Sequence, residues 1–396
     1  MKRVGRPKSI RVKQMPGLKQ KKCFAAVGLL LLLAGCGGQS NDHVIKIGFA
    51  GPLTGDQAPQ GQDMLHGAQL AVEQANAKGE VISGYRFELV QMDDQRSPTQ
   101  AVAVAKKLVA DNDVVAVVGH LNSSCTQSAS EIYYQARMLS ISPVSSNPKL
   151  SRRGFDTFYR TCATDDQQGP AAALFAVREL AAKRVFIIDD RTTYGLGLAN
   201  ELKTKLVELG AEVIGHEGIT QGDKDFVPLL TKIKSQSPDL VYFAGMFPEG
   251  ALLVKQRAEI GLGGRFMAGD GCFDPVLIKL AGPEAAQGVY LTTIGSDIHT
   301  IPTAKEFLTA YEPKYGPVGA YSSYAYEAAN IVIWAIQKAG KKDRVAVLVA
   351  MKELKDYPGI FGAQNFDEHG DSRIKDIGIF TVKDGKFAFV KTAQWE

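Results

Sequence analysis

The chain is predicted to fold as an α/β protein made of two doubly wound parallel-sheet lobes. Three observations carry this reading. Short apolar strands alternate with segments of helical periodicity, the pattern of parallel sheets covered on both faces. The alternation runs twice, with a break near Thr161-Cys162-Ala163-Thr164. About 360 residues remain past an N-terminal leader, enough for two domains.

The elements follow in order. Val44 to Phe49 reads as the first strand. Met64, Leu65, Ala68, Ala71, Val72 and Ala75 recur at helical spacing, and Gly79 closes that helix. Phe87 to Met92 is a second strand. Ser97-Pro98-Thr99-Gln100 opens the next helix, with Ser at the N-cap, Pro at N1 and Gln at N3. Val102, Ala105, Leu108 and Val109 are its buried stripe. An apolar strand at Val114–Val118, a helix over 124–137 and a strand over 138–142 complete the first run.

The second run repeats the plan. Arg184–Ile188 is a strand, Leu196–Leu209 a helix closed by Gly210, and Glu212–Ile214 a strand. A helix over 226–236, the strand Asp239–Phe243, a helix over 249–260 and the strand Phe266–Ala268 come next. A long helix over Ser323–Lys338 and a hairpin from Phe380 to Val390, turning at Asp384-Gly385, end the chain.

Before all of these comes a leader. A basic head, the apolar run Phe24–Leu32 and small residues at Leu33-Ala34-Gly35 describe an export signal. Cys36 directly after them makes this a bacterial lipobox, with Cys36 acylated and first in the mature protein. Residues 1–35 are then the signal peptide and 36–43 a linker. The alternatives are a plain signal peptide or a membrane anchor, but the apolar run falls short of the roughly 20 residues that span a bilayer. Met15 with Lys19, Lys21 and Lys22 makes a more ordinary basic head, so either Met1 or Met15 is the start. The membrane is reached through the lipid anchor only, and the sequence does not choose between inner and outer membrane.

Nine lysines and arginines and no acidic residue lie in the first 35 positions, so the chain beyond them carries a formal net charge of −5 against +4 for the whole. A nucleic-acid partner has no electrostatic support. Past the lipobox, Cys125, Cys162 and Cys272 remain. They allow at most one disulfide, which spacing does not choose, or three buried thiols. No spacing indicates a metal site or a cofactor.

In open parallel sheets, ligands sit outside the carboxyl ends of the strands. After the third strand come His120, Leu121, Asn122, Ser123 and Ser124, leading into a helix. After the fourth come Val144, Ser145, Ser146 and Asn147. Hydroxyls and free N–H groups at a helix start suit a carboxylate, while ordinary capping, the commoner use of Ser and Asn there, accounts for the same residues. In the second run, Met246-Phe247 follows one strand, Tyr194 and Phe247 are candidates to wall an apolar pocket, and Asp270 is a strand-end carboxylate for an ammonium group or a turn aspartate. His120 near the serines raises a hydrolase, yet the chain has no G-x-S-x-G elbow.

With these residues in place, the chain resembles the leucine/isoleucine/valine-binding proteins of ABC importers, of the type I periplasmic-binding fold. The resemblance rests on Ile47–Gly55, Asn76–Gly79, Ala101–Ala105, Val118–Leu121, Ile141–Pro143, Thr193–Ala199, Lys224–Phe226 and Phe366–Asp371. It implies two lobes joined by three hinge crossovers near Thr161–Thr164, Thr292–Gly295 and Ile360–Gln364. Lobe I is then 44–163 with 294–361, and lobe II is 164–293 with 362–396. Family positions for the ligand carboxylate fall on Ser123 and Val144–Ser146, the ammonium partner on Asp270, and a second-lobe tyrosine on Tyr194. Departures are Arg96 and Asn122 at a family disulfide, Met246 at a pocket tyrosine, Asp270 at a glutamate, and Gln60 where an aromatic occurs.

The function this implies is a monomeric, exported, lipid-anchored solute-binding protein. It would capture a branched-chain or related aliphatic amino acid and deliver it to a permease with its ATPase. A ligand-sensing receptor module on the same fold is the alternative. An exported amidase is a third class, without a nucleophile–base pair in its support.

Overall fold

The computed structural model describes residues 43–79, 82, 84–393 and 395. The leader and the lipobox Cys36 lie outside the described residues. The first run is β1 (Val44–Gly51), α1 (Ala58–Lys78), β2 (Arg86–Asp93), α2 (Pro98–Ala110), β3 (Val114–Gly119), α3 (Ser123–Gln135), β4 (Leu139–Ser142) and β5 (Phe158–Arg160). Its five strands form one parallel sheet in the order β2-β1-β3-β4-β5. All of β3 is buried, as expected for a strand covered on both faces. α2 begins as its sequence dictates: the Ser97 hydroxyl accepts from the Gln100 N–H with Pro98 inside the first turn.

The second run is α4 (Asp165–Arg178), β6 (Arg184–Asp189), α5 (Thr193–Glu208), β7 (Glu212–Gly218), α6 (Val227–Ser235), β8 (Leu240–Ala244), α7 (Phe247–Glu259), β9 (Arg265–Ala268), α8 (Pro275–Ala281), α9 (Pro283–Ala286) and β10 (Tyr290–Thr293). The chain then returns to the first sheet with α10 (Lys305–Tyr315), α11 (Ser322–Ala339) and α12 (Arg344–Met351). α11 packs on α1, β3 and β4. After the small ribbon of β11 (Tyr357–Gly359) and β12 (Gly362–Gln364), β13 (Ile377–Lys383) and β14 (Lys386–Ala393) form the tail hairpin. The second sheet is seven-stranded, ordered β14-β13-β10-β9-β8-β6-β7, parallel except for the hairpin.

The third return to the second sheet comes later than the 360–364 reading. Residues after Gln364 stay beside β5: the Arg160 N–H donates to the Gly370 carbonyl (3.0 Å), and Phe366 meets the Tyr159 ring edge-on. The physical reason is Arg160 itself, fully buried and paired with Asp371 at 2.6 Å. A buried guanidinium needs its counter-charge, so the strand that joins the second sheet starts only at Ile377.

One continuous apolar cluster, including Ile47, Phe49, Val118 and Ile141 of the first sheet, runs on through Tyr194 and Leu198 to Ile187, Tyr242 and Met267 of the second. Glu327 on α11 is the exception within it. Its carboxylate is buried, with one oxygen accepting from the Ile360 N–H (3.0 Å) and the other without a partner. Burial raises its pKa from an ordinary 4.5 to about 7. A raised acid stabilises the fold below its unfolded pKa and loses that contribution as pH climbs through its folded one. Glu327→Gln should therefore gain stability on the order of 3 kcal/mol at pH 8 over the parent, by the linkage of, and nothing at pH 4. Urea unfolding at the two pH values measures this, and equal differences at both would refute it.

Candidate functional site

Each doubly wound sheet has a crevice where its strand order reverses, between β1 and β3 in the first and between β6 and β8 in the second. The loops leaving these strands carry the candidate residues. Asn122 is extended and caps α3 (φ −77°, ψ 132°), which puts Ser123 and Ser124 in the helix's first turn. Ser123 Oγ accepts from the Asn147 N–H (3.4 Å). Ser124 Oγ accepts from the N–H of Thr193 at the start of α5 (3.1 Å), and Asn147 Nδ2 donates to the Thr193 carbonyl (2.6 Å). The two lobes therefore touch through the serine turn. Ser123, Ser124, Tyr194 and Met246 line a cavity of about 290 Å³ that Asn122 and Arg96 also face.

The β4–β5 loop separates its residues. Val144 is buried in the apolar cluster. Ser146 is buried, its hydroxyl without a protein partner and its carbonyl accepting from the Asp165 N–H (2.9 Å). Ser145, expected at the ligand, is turned away from it. Its hydroxyl lies 2.9 Å from the Leu121 carbonyl and 3.1 Å from that of His120, and its N–H donates to Ser142 Oγ (3.0 Å). Its hydroxyl braces the loop that precedes α3, and its N–H is held by the end of β4.

Asp270 is buried and shared by three donors. Gln168 Nε2 (2.9 Å) and the Tyr194 hydroxyl (2.8 Å) donate to one oxygen, and the Tyr321 hydroxyl (3.0 Å) to the other. Burial raises its pKa, and the hydrogen bonds from Gln168, Tyr194, Tyr321 and its own backbone oppose that shift. Tyr194 also accepts from the Gly271 N–H (3.2 Å), which fixes the ring between the strand end and the carboxylate.

A residue absent from the sequence reading completes the arrangement. Asp165, the first residue of α4, is fully buried and neither of its carboxylate oxygens has a partner. Burial holds its pKa well above the carboxylate range; the neighbouring Ser146 hydroxyl opposes that shift, and the charge of Asp270 adds to it. Two buried carboxylates, that of Asp165 without a donor of its own and the Ser146 hydroxyl near it, describe a place for a cation with several N–H donors. In sequence, Asp165 follows the capping-box Thr164 and reads only as an acid in a first helical turn.

The positions matching a family disulfide carry something else. Arg96 reaches across to Glu249 of α7 (3.1 and 3.3 Å), with Asp190 3.8 Å away, all of them well buried. Burial lifts the Asp190 pKa to about 6. An ion pair between lobes thus occupies the cleft mouth. Gln60, also buried, donates to the Gly271 carbonyl of the opposite lobe (3.2 Å). The three thiols, Cys125, Cys162 and Cys272, are free and buried, which decides the open question of pairing against a disulfide. His120 is no general base: its Nδ1 meets Asp94 (2.7 Å) and its Nε2 the Tyr133 hydroxyl (3.0 Å), leaving no ring nitrogen for a serine. Among the described residues no cluster of side chains could hold a metal ion.

Comparison with known proteins places this site in context. Residues 44–386 match the family described as periplasmic binding protein. An amino acid binding protein of Pseudomonas aeruginosa is 38% identical over 373 residues, covering 93% of this chain and 98% of that one. A Leu/Ile/Val-binding protein homolog of Brucella abortus is 35% identical over 375 residues, covering 94% of this chain and all of its own. The crystal structure of a leucine binding protein from Thermotoga maritima superimposes with a TM-score of 0.83 at 32% identity, covering 88% of this chain and 99% of that one. These relatives are solute-binding proteins and not enzymes.

Proposed function

The chain belongs to the periplasmic binding protein family, and from that membership we propose that it captures an amino acid of the branched-chain or related aliphatic class and hands it to an ABC importer. The observation that carries this reading is the pairing of opposite polarities at one cleft. Buried carboxylates, Asp270 and Asp165, stand on the second-lobe side, and the hydroxyls and helix-start amides of Ser123 and Ser146 stand on the first. That is the complement of a zwitterion. Hydroxyls and N–H groups at the start of α3 take the carboxylate, and the two aspartates take the ammonium. Tyr194 positions Asp270, and Met246 meets the side chain.

Lobe I (44–163 with the return segment from 294 up to the start of β13) and lobe II (164–293 with the tail hairpin from Ile377) would close on the ligand by hinge motion. Because one ligand contacts both lobes, binding favours the closed form, which the permease reads. The protein works in the periplasm, held to a membrane by acyl chains on Cys36. More than one chain is needed, since a single acyl group binds only marginally.

Titration calorimetry of the mature protein against the twenty amino acids tests the reading. At 100 times its dissociation constant, the ligand should also stabilise the fold by about 2.7 kcal/mol. If no free amino acid binds, the reading fails. The anchor is tested separately. Cys36→Ser should abolish incorporation of labelled fatty acid and release the protein from membranes or leave it unprocessed. A mutant that is cut at the same place and sediments with membranes as before would rule the lipobox out.

A further inference from the structure

A chain of carboxamides builds the first-lobe wall of the cleft, and it has a direction. Asn122 Nδ2 donates to Gln57 Oε1 (3.0 Å), Gln57 Nε2 donates to Gln60 Oε1 (2.9 Å), and Gln60 Nε2 donates to the Gly271 carbonyl (3.2 Å). The last acceptor is a backbone oxygen, which cannot donate. That sets Gln60, and through it Gln57 and then Asn122, because each amide must turn its NH₂ toward the next oxygen. The head of the chain is thus always an acceptor, Asn122 Oδ1. This atom is buried and without a partner. Asn122 lines the 290 Å³ cavity beside Ser123, Ser124 and Met246.

From this we infer that the captured amino acid has a side chain ending in a hydrogen-bond donor, a hydroxyl or a carboxamide, which Asn122 Oδ1 receives. The inference rests on the amino-acid reading of the same cleft and departs from its aliphatic side chain. An apolar side chain seated there keeps the oxygen buried and unpaired, at the full desolvation cost of that group. A donor removes the cost. Sites built around a buried polar group reject the analogue that lacks its partner far more strongly than an apolar wall rejects an extra hydroxyl. The rest of the wall is mixed. Arg96 and Asp190 line the same cavity beside the apolar surface of Pro98, Tyr194 and Met246, and Gln57 and Gln60 stand behind Asn122.

Two nearly isosteric pairs isolate the effect. In calorimetric titrations of the wild-type protein, threonine should bind at least about tenfold tighter than valine, and asparagine tighter than leucine by a similar factor. Across all twenty amino acids, the tightest binder should carry a hydroxyl or carboxamide. Asn122→Leu, which removes the acceptor, should level or reverse the threonine–valine order. Should that variant fail to fold, the wild-type pairs decide by themselves. Valine and leucine binding as tightly as their polar counterparts, or more tightly, would overturn the inference and leave the amino-acid reading standing. Absence of binding by every amino acid would overturn both.

Discussion

Asp270→Ala should weaken amino-acid binding by roughly two to four orders of magnitude. Removing one member of a buried charge pair leaves the other uncompensated, at about 3–5 kcal/mol, and each 1.4 kcal/mol is about tenfold in affinity. The alanine also strands three donors, Gln168, Tyr194 and Tyr321, so lost order among these side chains adds to the effect. Asp270→Asn separates the two causes. It keeps an oxygen for the hydrogen-bond donors and deletes the charge. Calorimetry should find both variants weak, with near-parental urea midpoints for Asp270→Asn. Parental affinity in a folded Asp270→Asn would place the ammonium on Asp165 alone.

Arg160→Met should cost about 3–5 kcal/mol of stability, the range for breaking a buried pair. Its guanidinium is wholly buried and makes four contacts: Asp371 (2.6 Å), the carbonyls of Ser145 (2.7 Å) and Asn147 (2.8 Å), and Ser151 Oγ (2.7 Å). Methionine fills much of the volume and satisfies none of these groups. The carbonyls belong to the loop that presents Ser146, so ligand affinity should fall along with stability. Urea unfolding followed by tryptophan fluorescence gives the first quantity, and calorimetry the second. A loss of less than about 1 kcal/mol, the level of an exposed pair, would mean that water replaces the guanidinium and the loop stands without it.

Much of the fold was legible because its strands are buried on both faces and its helices on one. Val114–Val118 reads as a strand from five consecutive apolar residues, and the structure extends it by a single glycine. Ser97 to Gln100 states a helix start in its own local chemistry, and the structure shows that cap. Elements without such signals are not legible in this way. β5 is three residues long, and α12 lies beyond the two regular runs. Short segments like these are ordered by what they pack against, not by their own periodicity.

The candidate site divides along the same line. Strand ends and helix starts are local features, so Ser123, Tyr194 and Asp270 could be picked out from the loops that carry them. Which way a side chain faces is not local. Ser145 and Ser146 are neighbours of the same type, yet one braces the backbone of His120 and Leu121 while the other is left without a partner beside Asp165. Asp165 and Asp270 are 105 positions apart, and only the hinge brings their charges together. Arg96 finds Glu249 across the cleft in the same way. The sequence by itself determined the alternation, the burial pattern and the places where ligand-binding loops leave the sheets, because periodicity and capping act within a few residues. The pairing of charges, the direction of the carboxamide chain and the late return of the tail at Ile377 were decided by tertiary structure. Buried polar groups must find partners wherever the fold supplies them, and sequence distance does not enter that requirement.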